Sequence, residues 1–176
     1  MRVRSDAKLV ELARTGSREA AAELFSRHWP YAWRAAYGIT GRREMADDVA
    51  QDAFERAFAA LSRFDERRPF GPWLHRIVVN RSLDLLRRER RLVGADLEHE
   101  ADEWTDPRLA DQELLRAVAS LSLQRRVAVV LRYGLGYTPA MIAELLGLPV
   151  GTVHSRLARA LDELRARYEV NDVERS

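Results

Sequence analysis

Apolar residues recur at intervals of three and four along most of the chain, a spacing that predicts α-helices. The β-branched residues do not gather into the alternating runs that would predict strands. Two helices are predicted between Asp6 and His28, separated at Thr15-Gly16-Ser17, with Ser17 capping the second. Further helices are predicted over residues 30–37, 44–61, 73–91, 114–121, 123–133, 138–146 and 150–168. We therefore expect an all-α protein.

A change of charge divides these helices into two groups. Residues 63–91 hold nine arginines against four acidic residues, whereas residues 92–113 hold one arginine against eight acidic residues. The acidic stretch also contains Gly94 and Pro107 and has little apolar periodicity, which is typical of a linker. We predict two small helical domains, joined by an acidic linker and followed by a short tail, over residues 1–91, 92–112, 113–170 and 171–176.

Composition narrows the range of functions. The 176 residues include no cysteine, which excludes disulfides, a thiol nucleophile and a cysteine-ligated zinc site. No apolar run approaches the ~20 residues of a membrane span, and the N-terminus lacks the apolar core of a signal peptide, so we expect a cytoplasmic protein without membrane insertion. The four histidines are scattered and no glycine-rich phosphate loop occurs. We therefore expect no enzyme activity, no catalytic residues, no metal and no cofactor.

A helix-turn-helix pattern lies near the end of the sequence. Thr138-Pro139 is a typical helix start, Gly147 suits the tight turn, and Val153 begins the apolar stripe of the second helix. The side chains opposite or flanking that stripe would face a DNA major groove, and they are Thr152, His154, Ser155, Arg156 and Arg159. Serine, threonine and arginine suit phosphate and base-edge contacts. The alternative is the solvated face of an ordinary helix pair.

An acidic helix face precedes the loop predicted over residues 63–72. Asp48, Asp52 and Glu55 stand at positions i, i+4 and i+7, so their side chains share one face. Like charges at this spacing repel slightly and would weaken an isolated helix. A basic binding partner would neutralise this repulsion, so the face is typical of a protein-binding surface. An ordinary solvated helix face is the alternative.

A second polar stripe follows in the helix after the loop. Its members are Trp73, Arg76, Asn80, Asp84 and Arg87. An aromatic ring, arginines and an amide together suit single-stranded bases, because they supply stacking, charge and hydrogen bonds to base edges. Two alternatives stay open, since Trp73 could anchor the core and Asp84 could pair with Arg87 within the helix.

The order of these motifs resembles the bacterial sigma-70 family in its short extracytoplasmic function (ECF) form. The resemblance covers the chain from about Leu9 to Tyr168 and is carried by ADDVAQDAFERAF, RFDERRPFGP, WLHRIVVNRSLDLLRR and YTPAMIAELLGLPVGTVHSRLARALDELR. It implies a dissociable initiation subunit that binds core RNA polymerase, recognises the −10 and −35 promoter elements and melts DNA. A freestanding helix-turn-helix regulator is the alternative, although such a regulator needs neither polar face of the N-terminal half.

The resemblance also implies roles for individual residues. The first domain corresponds to sigma region 2 and the second to sigma region 4. Contact with polymerase, through the β′ clamp helices and the β subunit, is implied for Asp48, Gln51, Asp52 and Glu55. Contact with −10 DNA is implied for Phe64, Phe70, Trp73, Arg76, Asn80, Arg87 and Arg88. Contact with −35 DNA is implied for the recognition-helix residues Thr152, His154, Ser155, Arg156 and Arg159. Promoter DNA and an anti-sigma factor are the other implied partners.

Overall fold

A computed structural model describes residues 4–93 and 112–174, and within these ranges the chain forms eight α-helices and no strand. The first half contains α1 Asp6–Arg14, α2 Arg18–Thr40, α3 Arg43–Ala59 and α4 Phe70–Val93, with a 3-10 turn at Leu61–Arg63. The second half contains α5 Gln112–Ser120, α6 Leu123–Val129, a π-turn at Val130–Gly134, α7 Pro139–Leu146 and α8 Val150–Glu174. The all-α prediction is confirmed.

The helix α2 begins where the sequence predicted, but it is longer than predicted. The Ser17 side chain accepts a hydrogen bond from the Ala20 N–H at 3.2 Å, as predicted for an N-cap. The separate helix predicted over residues 30–37 is wrong, because α2 continues through Pro30 to Thr40. Pro30 has no N–H to donate to the Ser26 carbonyl, and its ring crowds that carbonyl, but the residue lies on the exposed side of the helix. Packing of α2 against α3 and α4 outweighs this cost.

Three other helix boundaries differ from prediction. The fourth helix begins at Phe70 rather than at residue 73, and Pro72 fits there because backbone N–H groups in the first turn have no acceptor within the helix. The helix predicted over residues 123–133 ends as the π-turn, with the Leu135 N–H donating to the Val130 carbonyl at 3.1 Å. The last helix runs to Glu174, past its predicted end near residue 168 and into the predicted tail.

Two buried clusters form the core. The first is built from α1–α4 and centres on Leu9, Leu24, Phe54 and Leu74. The second belongs to α6–α8, yet it also includes Ile39 of α2 together with Val79 and Leu86 of α4. The two halves of the chain therefore pack against each other.

The predicted linker over residues 92–112 lies, apart from its ends, outside the described residues. The domain boundaries drawn from the charge change therefore stay a prediction. Among the helices that the structure describes, none combines the length and the apolar character needed to cross a bilayer.

Candidate nucleic-acid interface

The acidic face of α3 is partly neutralised from within the chain. Asp48 and Glu55 are exposed, and the Gln51 side chain donates to Glu55 at 3.1 Å. Asp52 is half-buried, because its carboxylate accepts from Arg56 at 3.0 Å and forms an ion pair with Arg81 of α4. The face thus offers the charges of Asp48 and Glu55 to a basic partner, while Asp52 also ties α3 to α4.

The loop before α4 is held by an aromatic cluster. Phe64 and Phe70 are only 6% and 2% exposed. Their ring centroids lie 4.6 and 5.7 Å from that of Trp73. The structure places Phe64 and Phe70 differently from the predicted DNA contacts, because their rings are buried where they stabilise the loop. Trp73 is half-buried in the same cluster, as expected of a core anchor.

A clamp on this loop escaped the sequence analysis. The Arg14 side chain, at the end of α1, donates to the Leu61 carbonyl at 2.7 Å and also to the Phe64 carbonyl and the Glu66 carboxylate. These partners follow Arg14 by 47 to 52 residues, so no local spacing indicates the contact. Arg14 therefore fixes the backbone between α3 and α4.

The tip of the loop carries its own ion pair. The Arg67 guanidinium donates to the Asp65 carboxylate at 3.0 Å. This hydrogen bond lowers the pKa of Asp65 and raises the pKa of Arg67. Both side chains lie in solvent, so the pair shapes the tip without burying charge.

Four members of the predicted −10 DNA contact set lie on the outward side of α4. Arg76, Asn80, Arg87 and Arg88 are all exposed. Arg87 lies 3.7 Å from the Asp84 carboxylate, so the intrahelical pair left open above does occur. The pair is exposed and therefore weak, which leaves Arg87 able to turn toward a phosphate.

The helix-turn-helix has the predicted local geometry. The Thr138 hydroxyl caps α7 by accepting from the Met141 N–H at 3.3 Å. Gly147 ends the helix in the left-handed region at φ 66°, where the absence of a Cβ avoids a steric penalty. The Leu148 N–H closes the turn on the Ala143 carbonyl at 2.9 Å. The predicted apolar stripe of α8 is confirmed at Val153, which is fully buried.

The predicted contact residues lie on the outer side of α8. His154, Ser155 and Arg159 are exposed, while Thr152 and Arg156 are half-buried. Arg156 donates to the Gln124 side chain at 3.0 Å. Arg156 therefore braces the recognition helix against α6.

A polar cavity of about 440 Å³ opens beside these residues. It lies between the start of α6 and the first three turns of α8. Its lining includes Ser122, Gln124 and Arg125, which the sequence analysis did not single out, together with Thr152, Ser155, Arg156 and Arg159. Arg125 is held by Glu163 at 2.7 Å. The cavity is lined by cationic and hydrogen-bonding side chains, which are the groups that bind phosphate in proteins.

Each half of the chain matches a known protein family. The family Sigma-70 region 2 matches residues 24–92, and Sigma-70, region 4 matches residues 111–164. These two families define a transcription initiation factor of the sigma-70 class.

Whole-chain relatives narrow the class further. The ECF RNA polymerase sigma factor SigM of Mycobacterium tuberculosis is 39% identical over 160 residues, which cover 89% of this chain and 81% of SigM. The RNA polymerase sigma factor CnrH of Cupriavidus metallidurans is 35% identical over 183 residues, covering 95% and 96% of the two chains. The chain belongs to the ECF sigma factors of the sigma-70 family. It is a dissociable sigma subunit that directs RNA polymerase.

Solved structures have the same fold across both halves. CnrH in complex with the cytosolic domain of CnrY superposes with a TM-score of 0.74 at 30% identity, covering 94% of this chain and 97% of CnrH. RpoE in complex with the anti-sigma factor NepR, from Bartonella quintana, superposes with a TM-score of 0.73 at 25% identity, covering 85% and 96%. The structural similarity therefore covers both halves of the chain.

Proposed function

We propose that each exposed polar surface of this sigma factor has its own partner. The acidic face of α3 binds the β′ clamp helices of core RNA polymerase, the outer stripe of α4 holds the melted −10 strand, and α8 reads the −35 element. The β subunit supplies the remaining polymerase contacts. The protein acts in the cytoplasm and has no catalytic chemistry of its own.

The observation that carries this proposal is the separation of the surfaces by charge and chemistry. Asp48 and Glu55 give α3 a negative face, which suits a basic protein surface and repels DNA. Arg76 and Asn80 give α4 a cationic, hydrogen-bonding face, which suits an unpaired strand. A freestanding regulator would need only the surface of α8.

The burial of each predicted −10 contact residue indicates its role. The Asn80 side chain is exposed on α4, so its amide is available for a base edge. Phe64 and Phe70 support the loop from beneath, whereas Arg76, Arg87 and Arg88 lie where a phosphate chain would run. An extruded base costs a few kcal/mol, so a surface that binds it helps to melt the duplex.

An anti-sigma factor is the proposed regulator. CnrH and RpoE were each solved with a bound partner, the cytosolic domain of CnrY and the anti-sigma factor NepR respectively. This chain contains no cysteine, so it cannot itself sense a redox signal through a thiol.

In vitro transcription with purified core polymerase tests the proposal, combined with mapping of the start sites. We expect specific starts only when both proteins are present, and weak binding of the isolated chain to duplex promoter DNA. Tight, sequence-specific binding by the chain alone, with no effect on polymerase, would favour the freestanding regulator.

A further inference from the structure

The loop between α3 and α4 has few backbone contacts that could fix its position. Its own backbone hydrogen bonds join residues three apart in the sequence. The Phe64 N–H donates to the Leu61 carbonyl at 3.2 Å, and the Arg68 N–H donates to the Asp65 carbonyl at 3.0 Å. Such turns set the direction of the chain over four residues. They do not set where the loop lies relative to the helices, so its position depends on contacts from elsewhere in the chain.

Arg14 of α1 supplies those contacts for the first part of the loop. Its guanidinium donates to the Leu61 carbonyl at 2.7 Å, to the Phe64 carbonyl and to the Glu66 carboxylate. The guanidinium is planar and holds its donors in a rigid fork, so the acceptors bound to it have fixed positions relative to one another. The backbone from Leu61 to Glu66 therefore takes its shape from Arg14.

The end of the loop has a separate anchor. The His28 ring of α2 is hydrogen-bonded through Nε2 to the Asp6 carboxylate at 2.7 Å, and it packs against the Phe70 ring with 5.1 Å between the ring centroids. A Cβ atom placed on Gly71 would lie 3.4 Å from Cε1 of His28, so the first turn of α4 also lies against this ring. Loss of Arg14 would therefore free the start of the loop and leave α4 in place.

The part of the loop held by Arg14 contacts the face of α4 proposed to hold the melted strand. Phe64, whose carbonyl accepts from Arg14, is buried, and its ring centroid lies 4.6 Å from that of Trp73. Trp73 stands one helical turn before Arg76 and two turns before Asn80, on the same side of α4. A shift of the Phe64 backbone moves its ring and disturbs the packing of Trp73. Arg14 is thereby coupled, through one residue, to the aromatic end of this face.

We propose that Arg14 is a positioning residue for −10 recognition, because it holds the loop in the shape that, with Trp73, receives an extruded base of the melted strand. Arg14 acts through the loop and not by contact with DNA. Groups that discriminate between bases must be held close to the productive geometry, so a side chain that fixes their support contributes to specificity. The inference rests on the proposed function, because that function assigns the outer stripe of α4 to the −10 strand.

Arg14→Ala, tested in holoenzyme assembled with the full chain, measures this role. Competition between the mapped promoter and derivatives with one changed −10 base pair gives the −10 preference, and derivatives changed in the −35 element give the −35 preference. We expect the −10 preference of Arg14→Ala to fall by about fivefold or more, the lower end of what loss of one base contact costs. Its −35 preference should equal that of the parent, because α8 is not part of the loop or its anchors.

Three further variants separate positioning from general stability. Arg14→Lys keeps the positive charge but not the planar fork, so its −10 preference should fall like that of Arg14→Ala. Glu66→Ala removes only the exposed side-chain acceptor and leaves both carbonyls bound, so it should keep the parental preference. Thr40→Ala removes a buried hydroxyl that donates to the Ala36 carbonyl at 2.8 Å, about 18 Å along α2 from His28 at ~1.5 Å per residue. It should lower the melting temperature and leave the −10 preference unchanged.

Two outcomes would overturn the proposal. One is a parental −10 preference in both Arg14→Ala and Arg14→Lys when circular dichroism shows intact helices. The other is an equal loss of −10 and −35 preference in Arg14→Ala, with the same pattern in Thr40→Ala, which would show that Arg14 only stabilises the fold. If Arg14→Ala does not fold, Arg14→Lys decides by the same comparison. Failure of the parent holoenzyme to start at specific sites would instead contradict the proposed function.

Discussion

The carboxylate of Asp52 on α3 forms an ion pair with the guanidinium of Arg81 on α4, and both side chains are half-buried. The helix proposed to bind polymerase is therefore joined directly to the helix proposed to hold the melted strand. Two of the acidic residues on the same face, Asp48 and Glu55, are exposed. The acidic face thus combines a structural carboxylate with carboxylates that can contact a partner.

Substitution of two aspartates on this face should separate stability from binding. Asp52→Asn removes the charge opposite Arg81 and should lower the free energy of unfolding by about 1–2 kcal/mol. Asp48→Asn changes an exposed side chain and should alter stability by less than about 0.5 kcal/mol while weakening polymerase binding. Chemical denaturation and a binding titration with core polymerase measure the two effects. Equal loss of stability in both variants would contradict this division.

Asn80→Ala should impair promoter opening and leave polymerase binding nearly unchanged. The amide is exposed on α4, so its loss removes the proposed base-edge contact without disturbing the core. Reactivity of unpaired thymines in the promoter complex reports opening, and a titration reports binding. Ser26→Ala, an exposed change on α2, is the control. If Asn80→Ala fails to associate with polymerase, α4 has a different role.

Arg159→Ala should weaken recognition of the −35 element by about 1–3 kcal/mol if the guanidinium binds a base. Arg165→Ala is the matched control, because it removes the same charge from the same helix beyond the groove-facing turns. Competition between cognate and altered −35 sequences, with holoenzyme at fixed salt, distinguishes base reading from a general charge effect. Identical promoter preference in both variants would remove Arg159 from the residues that read sequence.

Acid should destabilise the native chain through His75. The pKa of this ring is about 4 in the native structure and 6.5 in an exposed histidine, because burial and then His28 disfavour the charged form. The native state therefore binds fewer protons, so its stability falls as pH drops below about 6.5 and the effect levels off near pH 4. The difference amounts to at most about 3 kcal/mol.

Carboxylates titrate over part of the same range, so the test compares variants. The fall in unfolding free energy between pH 7 and pH 5 should be smaller in His75→Leu than in the parent protein. His154→Gln, which changes an exposed histidine on α8, should keep the parental pH dependence. A parental pH profile in His75→Leu would show that another group is responsible.

Local sequence signals predicted the helix-turn-helix well. The signals are local: Thr138 caps α7, Gly147 ends it in the left-handed region, and Val153 belongs to the buried stripe of α8. The structure confirms all three. Helix ends that depend on tertiary packing were predicted less well. The continuation of α2 through Pro30 is stabilised by neighbouring helices, which no window of sequence includes.

Long-range contacts of the candidate site were not predictable at all. The pairing of Asp52 with Arg81 joins two helices across the loop, and the chain offers many other arginines that could have met the same carboxylate. The burial of Phe64 and Phe70 has the same origin, because an apolar ring near a loop can face either the core or a ligand. Only the packed structure decides between these choices.

The clamp formed by Arg14 has a consequence for how pieces of this family can be exchanged. The region 2 family begins at residue 24, whereas the side chain that fixes the Leu61 and Phe64 carbonyls belongs to α1, ten residues earlier. A chimera cut at the family boundary would transplant the loop without the arginine that shapes it. A graft intended to carry promoter preference from this chain to a relative should therefore begin before α1.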